Sequence, residues 1–95
     1  MTKRPVIRLL QQKDLVGLVN LCRAHAAYEH SDWVEFDRLP GLQALFLDGG
    51  EAVCWVVEIN EQLVGFASAA PEVSTWGAQY IWTLDCLYLQ EEFRG

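Results

Sequence analysis

The chain has 95 residues, of which 52% are hydrophobic, so it is long enough for one domain with one modest core and too apolar for a disordered segment. Its formal net charge of −6 argues against binding to a nucleic-acid backbone, because such a surface needs clustered Lys and Arg. Residues 1–28 carry five basic side chains and one acid, whereas residues 29–61 carry eight acids and one base. That acidic stretch is either a solvated face or an attractor for a cationic small molecule.

The cysteines and the N-terminus indicate a reducing compartment. The three cysteines are Cys22, Cys54 and Cys86. An odd count without a C-x-x-C pair is typical of free buried thiols. The N-terminus lacks the apolar run of a signal peptide, and the longest apolar run, Ala52 to Val57, is too short to span a bilayer. We therefore expect a cytoplasmic protein with no membrane or nucleic-acid partner, and with no metal, since neither His25 nor His30 has a partner at metal-ligand spacing.

The first half of the chain predicts one strand and two helices. Val6 to Leu10 favours β-structure. Helical periodicity then runs from about Gln12 to Tyr28, with Asp14 in the first turn, where the helix dipole favours an acid. A second helix is expected from near Asp37, and Asp48-Gly49-Gly50 ends it.

The second half predicts three strands: Ala52 to Val57, Leu63 to Ala70 and Tyr80 to Leu89. The first of these is nearly all apolar, which favours a strand covered on both faces. Asn60-Glu61 forms a tight turn, Gly65 marks a bulge or a close backbone contact, and Pro71 to Gly77 is a loop. The order β-α-α-β-β-β predicts an α+β domain with a mainly antiparallel sheet.

Asp85 is the first candidate for chemistry, because it interrupts an otherwise apolar strand and a buried carboxylate is costly unless it is paired. Desolvation by its neighbours would favour the protonated form and suit a general base. The alternative is a carboxylate at a strand kink, bonded to backbone amides. Glu29 is an ordinary loop acid by default, and Trp76 is either a half-buried loop anchor or an aromatic that holds an amine by a cation–π contact.

The chain resembles the N-terminal half of the GNAT superfamily of N-acetyltransferases. The likeness lies in the element order, in the hairpin Val57 to Phe66, and in Asp85 to Gly95, which is similar to the family's fourth strand leading into its pyrophosphate-binding loop. Three short pieces are most similar to the diamine and polyamine acetyltransferase group: Ala27-Tyr28-Glu29, Ser74-Thr75-Trp76-Gly77 and Leu84-Asp85.

The resemblance implies transfer of an acetyl group from acetyl-CoA to a primary amine by direct attack, and the likeness to the diamine and polyamine group implies a diamine or polyamine as that amine. It implies that backbone groups of Leu87 and Leu89 hold the acetyl carbonyl and the pantetheine arm, and that Arg94 and Gly95 open the pyrophosphate loop.

The resemblance also implies how the acceptor is handled. Asp85 matches a family acid, usually Glu, that takes a proton from the amine, and its shorter side chain calls for a bridging water. Glu29 and Trp76 would help to bind a cationic acceptor.

The resemblance covers essentially the whole chain and stops at the start of the pyrophosphate loop. We therefore expect residues 1–95 to be a single, truncated domain that lacks most of the cofactor site and the general acid, often a Tyr. A homodimer or a complementing C-terminal segment is the expected partner. Two alternatives stay open: a non-catalytic half-domain that oligomerises through its exposed final strand, and an acidic binding module unrelated to acetyl transfer.

Overall fold

The computed structural model describes residues 4–94, which form one sheet with two helices on one of its faces. The elements in chain order are β1 (Val6–Leu9), a 3-10 turn (Gln12–Asp14), α1 (Leu15–Tyr28), α2 (Leu39–Phe46), β2 (Val53–Ile59), β3 (Gln62–Ser74), β4 (Gln79–Leu89) and a 3-10 turn (Glu91–Phe93). The predicted order and the α+β fold class are confirmed.

The four strands are antiparallel and lie in the order β1-β2-β3-β4. Trp55 of β2 lies between Leu9 of β1 and Ala67 of β3. The turn between β2 and β3 is the predicted one, with φ of 53° at Asn60 and 66° at Glu61, as a two-residue hairpin turn requires. Within residues 4–94, β4 is therefore an edge strand.

The core lies between α1, α2 and one face of the sheet. Leu18 of α1 and Val56 of β2 are 1% and 0% exposed, and Phe66 of β3 packs beside them. Burial of each such side chain contributes about 1.5–3 kcal/mol to folding. α2 adds Phe46, which is partly buried against the same cluster. This packing places α2 against α1 and β2.

The expectation that β2 is covered on both faces was wrong for the described residues. Val56 is fully buried, but its neighbour Trp55 is 37% exposed, because the two side chains point to opposite faces of the pleat. In residues 4–94 both helices pack against the face that Val56 shares with Phe66.

The expected loop after Ala70 was also wrong, because β3 continues to Ser74. Pro71 pairs with Trp82 of β4, and the last β2–β3 pair joins Val53 to Ala69. Pro71 thus lies beyond the end of β2, so its missing N–H does not interrupt the β2–β3 ladder.

Candidate active site

Strand β4 carries a β-bulge at Asp85. Ser68 of β3 pairs with Cys86, and the next β3 residue, Ala69, pairs with Leu84, so Asp85 has no residue opposite it. Such an extra residue breaks the alternation of side chains and re-aims one of them. The carboxylate of Asp85 accordingly lies on the helix-covered face, where the Ser68 hydroxyl donates to its Oδ2 over 3.4 Å.

The carboxylate of Asp85 is exposed, which corrects the expectation that it is buried. The sequence neighbours of Asp85 do not desolvate it, because β4 is an edge strand of the described sheet and the bulge aims the side chain at the mouth of a groove. Its protein partners are instead the Ser68 hydroxyl, on a residue that is 5% exposed, and the Cys86 thiol at 3.5 Å. An exposed carboxylate held by a buried hydroxyl can accept a proton from a bound group.

Two cavities share Asp85 in their walls. The outer one, about 270 Å³, lies between α2 and the β3–β4 hairpin, and we call it the Asp85 groove. The inner one, about 130 Å³, extends towards the core. Both are lined by Leu45 and Phe46 of α2 and by Ser68 of β3. The side chain of Asp85 therefore stands where an open groove meets a deeper apolar space.

All three cysteines line the inner cavity and all are free. Burial raises the pKa of Cys22 to about 11 and that of Cys54 to about 12. Burial, with the nearby charge of Asp85, also raises the pKa of Cys86. The thiols are thus protonated at neutral pH, and none is an activated nucleophile. The three thiols are free, as predicted, but only Cys54 is buried, and Cys22 and Cys86 are partly exposed.

The outer edge of β4 presents backbone groups at Leu87 and Leu89. The N–H of Gln90 donates to the carbonyl of Val64 over 2.8 Å, so Gln90 faces β3. In an antiparallel ladder the facing residues alternate, and the N–H and C=O groups of Leu87 and Leu89 therefore point away from β3. No strand within residues 4–94 pairs with this edge. The register thus offers the backbone groups that the resemblance assigns to acetyl-CoA, and that role stays a prediction.

Arg94 folds back on the end of the same edge. Its Nε donates to the carbonyl of Leu89 over 2.6 Å, and its guanidinium lies 4.1 Å from the ring centre of Tyr28 and 5.4 Å from that of Tyr88. The structure therefore brings Arg94 and Leu89 together. Gly95, the other residue assigned to the pyrophosphate loop, lies outside the described residues.

Glu29 lies at the same end of the sheet as Arg94. It follows α1, its carboxylate is 3.4 Å from Nε2 of His25, and the His25 ring stacks on Tyr88 at 5.1 Å. Glu29 is thus at the Leu89 end of β4, and its role in binding an acceptor stays a prediction.

Trp76 lies in the turn between β3 and β4 and is fully exposed. The seven strand residues from Gln79 to Asp85 are separated by six steps and span about 20 Å. The structure therefore does not bring Trp76 beside Asp85. Leu87 and Leu89, by contrast, follow Asp85 in the last part of β4, and Arg94 lies just after the strand ends. A role for Trp76 in acceptor binding stays a prediction.

Sequence reasoning missed the residues that β3 contributes to the Asp85 groove, namely Ser68 and Glu72. They lie on one face with Ala70, since every second residue of a strand points the same way. The alternation was visible in the sequence, but Glu72 was assigned to a loop because Pro71 was interpreted as the end of the strand.

A larger cavity, about 570 Å³, lies near the start of α1 and has a different chemistry. Arg8 donates to both carboxylate oxygens of Asp14, at 2.6 Å and 2.9 Å, and its Nε donates to Glu58 at 2.9 Å. Asp14 also accepts the backbone N–H of Gln11 at 2.8 Å. The Arg8 guanidinium holds the pKa of the buried Asp14 below its usual value. One guanidinium thus holds two carboxylates, Asp14 and Glu58, and the cluster stabilises the fold.

No group of three or more His, Cys, Asp and Glu side chains within residues 4–94 could hold a metal ion. None of the helices in this part of the chain is long and apolar enough to cross a membrane.

No protein-family model and no curated protein matches the sequence. The structure is similar to a protein described as a "possible acetyltransferase" from Clostridium difficile 630, with a TM-score of 0.78, 22% identity, and coverage of 97% of this chain and 61% of that one. A predicted acetyltransferase with acetyl-CoA from Clostridium acetobutylicum is similar with a TM-score of 0.75 and 21% identity, and the match covers 97% of this chain and 64% of that one. An aminoglycoside acetyltransferase from an uncultured soil metagenomic sample, in complex with sisomicin, is similar with a TM-score of 0.73 and 17% identity. That match covers 95% of this chain and 59% of the other.

These similarities, at low identity, concern the fold. The chain spans 61%, 64% and 59% of the three structures, and almost all of it takes part in each match. The four antiparallel strands and two helices correspond to the N-terminal half of the GNAT acyltransferase fold, as the sequence predicted.

Proposed function

We propose that the chain belongs to an acetyl-CoA-dependent N-acetyltransferase that moves an acetyl group to a primary amine by direct attack. The observation that carries this proposal is the bulge of β4, which sets the carboxylate of Asp85 beside a groove, two residues before the open backbone edge at Leu87. The similarity to acetyltransferase structures supports the same conclusion.

The open edge of β4 suits an acyl-CoA arm. The pantetheine arm contains amide groups, and the outward N–H and C=O groups of Leu87 and Leu89 are spaced to pair with such groups as a neighbouring strand would. Acetyl-CoA supplies the activated thioester when it is bound. The N–H of Leu87 orients the acetyl carbonyl. The guanidinium of Arg94 moves away from the carbonyl of Leu89 and, together with Gly95, binds the pyrophosphate.

Asp85 is the proton acceptor in this proposal. A primary amine is mostly protonated at neutral pH and must lose a proton before its nitrogen can attack. The new bond joins that nitrogen to the acetyl carbon, the bond to the CoA sulfur breaks, and the proton passes through a water to Asp85. Ser68 holds the carboxylate in place. The general acid is expected in a part of the fold that this chain does not span.

The acceptor proposed is a cationic primary amine, and a diamine or polyamine is the finer form of the proposal. The net charge of −6 favours cations near the protein. Glu29, near the Leu89 end of β4, and Trp76, in the exposed hairpin turn, are the residues proposed to assist.

The proposal is tested by replacing Asp85 with Asn. We measure acetyl-CoA binding by isothermal titration and CoA release with a panel of primary amines, both on the 95-residue chain and on the chain with whatever coding sequence follows Gly95. Asp85→Asn should lower turnover by about 10²- to 10⁴-fold, the usual contribution of a general base, and leave acetyl-CoA affinity unchanged. Glu91→Gln, which removes an exposed acid from the 3-10 turn, is the matched control and should retain full turnover.

A wild-type pH–rate profile in Asp85→Asn would remove Asp85 from the proton-transfer step. Absence of acetyl-CoA binding by every form of the protein would favour the second candidate, a non-catalytic half-domain that associates through β4. The observation behind that candidate is the unpaired edge of β4 together with Leu84 and Leu87, which are 58% and 67% exposed.

A further inference from the structure

The side of the sheet that points away from α1 and α2 is apolar across its whole width. Residues that lie directly opposite each other in antiparallel strands project to the same side, so the register identifies its members. One row crosses all four strands and consists of Leu9, Trp55, Ala67 and Leu87. We call the side that carries this row the open face, since within residues 4–94 both helices pack on the other side.

The open face is exposed and carries no charge within the described strands. These strands contain four charged residues, Arg8, Glu58, Glu72 and Asp85, and all four lie on the helix side. Leu9 of the open face is nevertheless 58% exposed. A contiguous apolar surface of several hundred Å² is rare on a monomer and marks an interaction site.

The dimensions of the open face indicate what covers it. The strands have 4, 7, 13 and 11 residues. At about 3.3 Å per residue and about 4.8 Å between strands they cover roughly 550 Å² in projection. Projecting side chains make the accessible area larger, close to the roughly 800 Å² that each partner buries in a standard interface. A single helix about 10 Å wide would cover about half of the sheet, whereas a second sheet of the same width covers all of it.

The relief of the open face is complementary to itself. The small residues Gly65, Ala67 and Ala69 of β3 form a trough beside Trp55 of β2. A two-fold axis that runs between two facing sheets, along the boundary of β2 and β3, places β2 of each copy over β3 of the other. Trp55 of one copy then enters the trough of the other. Each copy has a net charge of −6, but no like charges meet across this contact.

We propose that the open face is the interface of a homodimer in which two copies of the chain pack face to face, about 10 Å apart, as a β-sandwich. This inference goes beyond the proposed function. The contact lies on the opposite side of the sheet from the Asp85 groove and leaves the outer edge of β4 unpaired. It therefore differs from association through that edge, in which strand is added to strand.

The experiment measures self-association of the 95-residue chain by sedimentation velocity, from micromolar to submillimolar concentration. Leu9→Lys places a charge on the open face, where the axis brings Leu9 over Leu87 of the other copy. It should weaken dimerisation about a hundredfold, because the change occurs once in each copy at a buried apolar contact.

Val6→Lys is the matched control. Val6 lies on the same short strand and is 53% exposed, but it pairs with Glu58 and projects to the helix side. This variant adds the same charge and should leave dimerisation unchanged. Because both residues are more than half exposed, both variants should keep the fold, which circular dichroism checks.

Amide hydrogen exchange of the wild type separates the face from the edge. Packing of the open faces should leave the outward amides of Leu87 and Leu89 exchanging freely, whereas pairing through β4 would protect them. Protection of these amides, a monomer at every concentration, or equal losses in Leu9→Lys and Val6→Lys would each overturn the inference. A monomer whose open face is buried by coding sequence that follows Gly95 would overturn it as well. None of these outcomes changes the Asp85→Asn test of acetyl transfer, so the two proposals fail separately.

Discussion

The Arg8 cavity and the Asp85 groove differ in how their carboxylates are satisfied. Asp14 in the larger cavity is 5% exposed, accepts two hydrogen bonds from Arg8 and lies beside a helix start. Asp85 in the smaller groove is exposed and is held by the Ser68 hydroxyl and the Cys86 thiol, with no cationic partner among the described residues. By volume alone the Arg8 cavity, about 570 Å³, would be a better candidate site than the Asp85 groove, about 270 Å³. An available charge, rather than a large space, therefore marks the better candidate site.

Removing each carboxylate separately tests whether Asp14 stabilises the fold and Asp85 does not. Asp14→Asn should lower the free energy of unfolding by about 3 kcal/mol, because it leaves the Arg8 guanidinium with an incomplete partner in a buried setting. Asp85→Asn should change it by less than about 0.5 kcal/mol, as is usual for an exposed residue. Urea titration of both variants measures the two values. Similar losses would mean that Asp85 is also a structural carboxylate.

The sequence allowed the elements to be predicted where the signal is local. The helical period up to Tyr28 and the turn at Asn60-Glu61 depend on neighbouring residues alone. The close contact at Gly65 is indicated by the residue type, although it is made across the sheet with β4. A Cβ atom built on Gly65 would lie 2.8 Å from the carbonyl oxygen of Tyr88, so only glycine fits there without movement.

The rest depends on strand pairing and could not be predicted. The exposure of Asp85 follows from the bulge. The bulge exists because Ser68 pairs with Cys86 and Ala69 pairs with Leu84, and this pairing of β3 with β4 is not encoded locally. The ion pair of Arg8 with Asp14 joins β1 to the start of α1, and the helix-dipole argument for Asp14 did not require it. Glu72 entered the groove because β3 passes through Pro71, a residue that favours a loop in isolation.

Acid sensitivity offers a second, smaller contrast. The Arg8 hydrogen bonds hold the folded-state pKa of Asp14 below its ordinary value. The stability that Asp14 contributes is therefore present above the unfolded-state pKa and is lost as pH falls through the lower folded-state pKa. Urea midpoints of the wild type should fall between about pH 5 and pH 2, and part of that fall should be missing in Asp14→Asn. An unchanged acid response in Asp14→Asn would show that the Arg8 pair does not stabilise the fold.

Thiol labelling tests how far the open part of the Asp85 groove extends inwards. The pKa values of about 11 for Cys22 and about 12 for Cys54 predict that very little thiolate is present at neutral pH, and that its fraction grows only as pH approaches those values. Iodoacetamide should therefore react with Cys54 most slowly, because it is the most buried of the three, and with the partly exposed Cys86 first. Peptide mass spectrometry after timed quenching gives the three rates. Fast modification of Cys54 in the folded protein would mean that the inner cavity admits water and reagents, and the contrast between a polar mouth at Asp85 and an apolar interior behind it would fail.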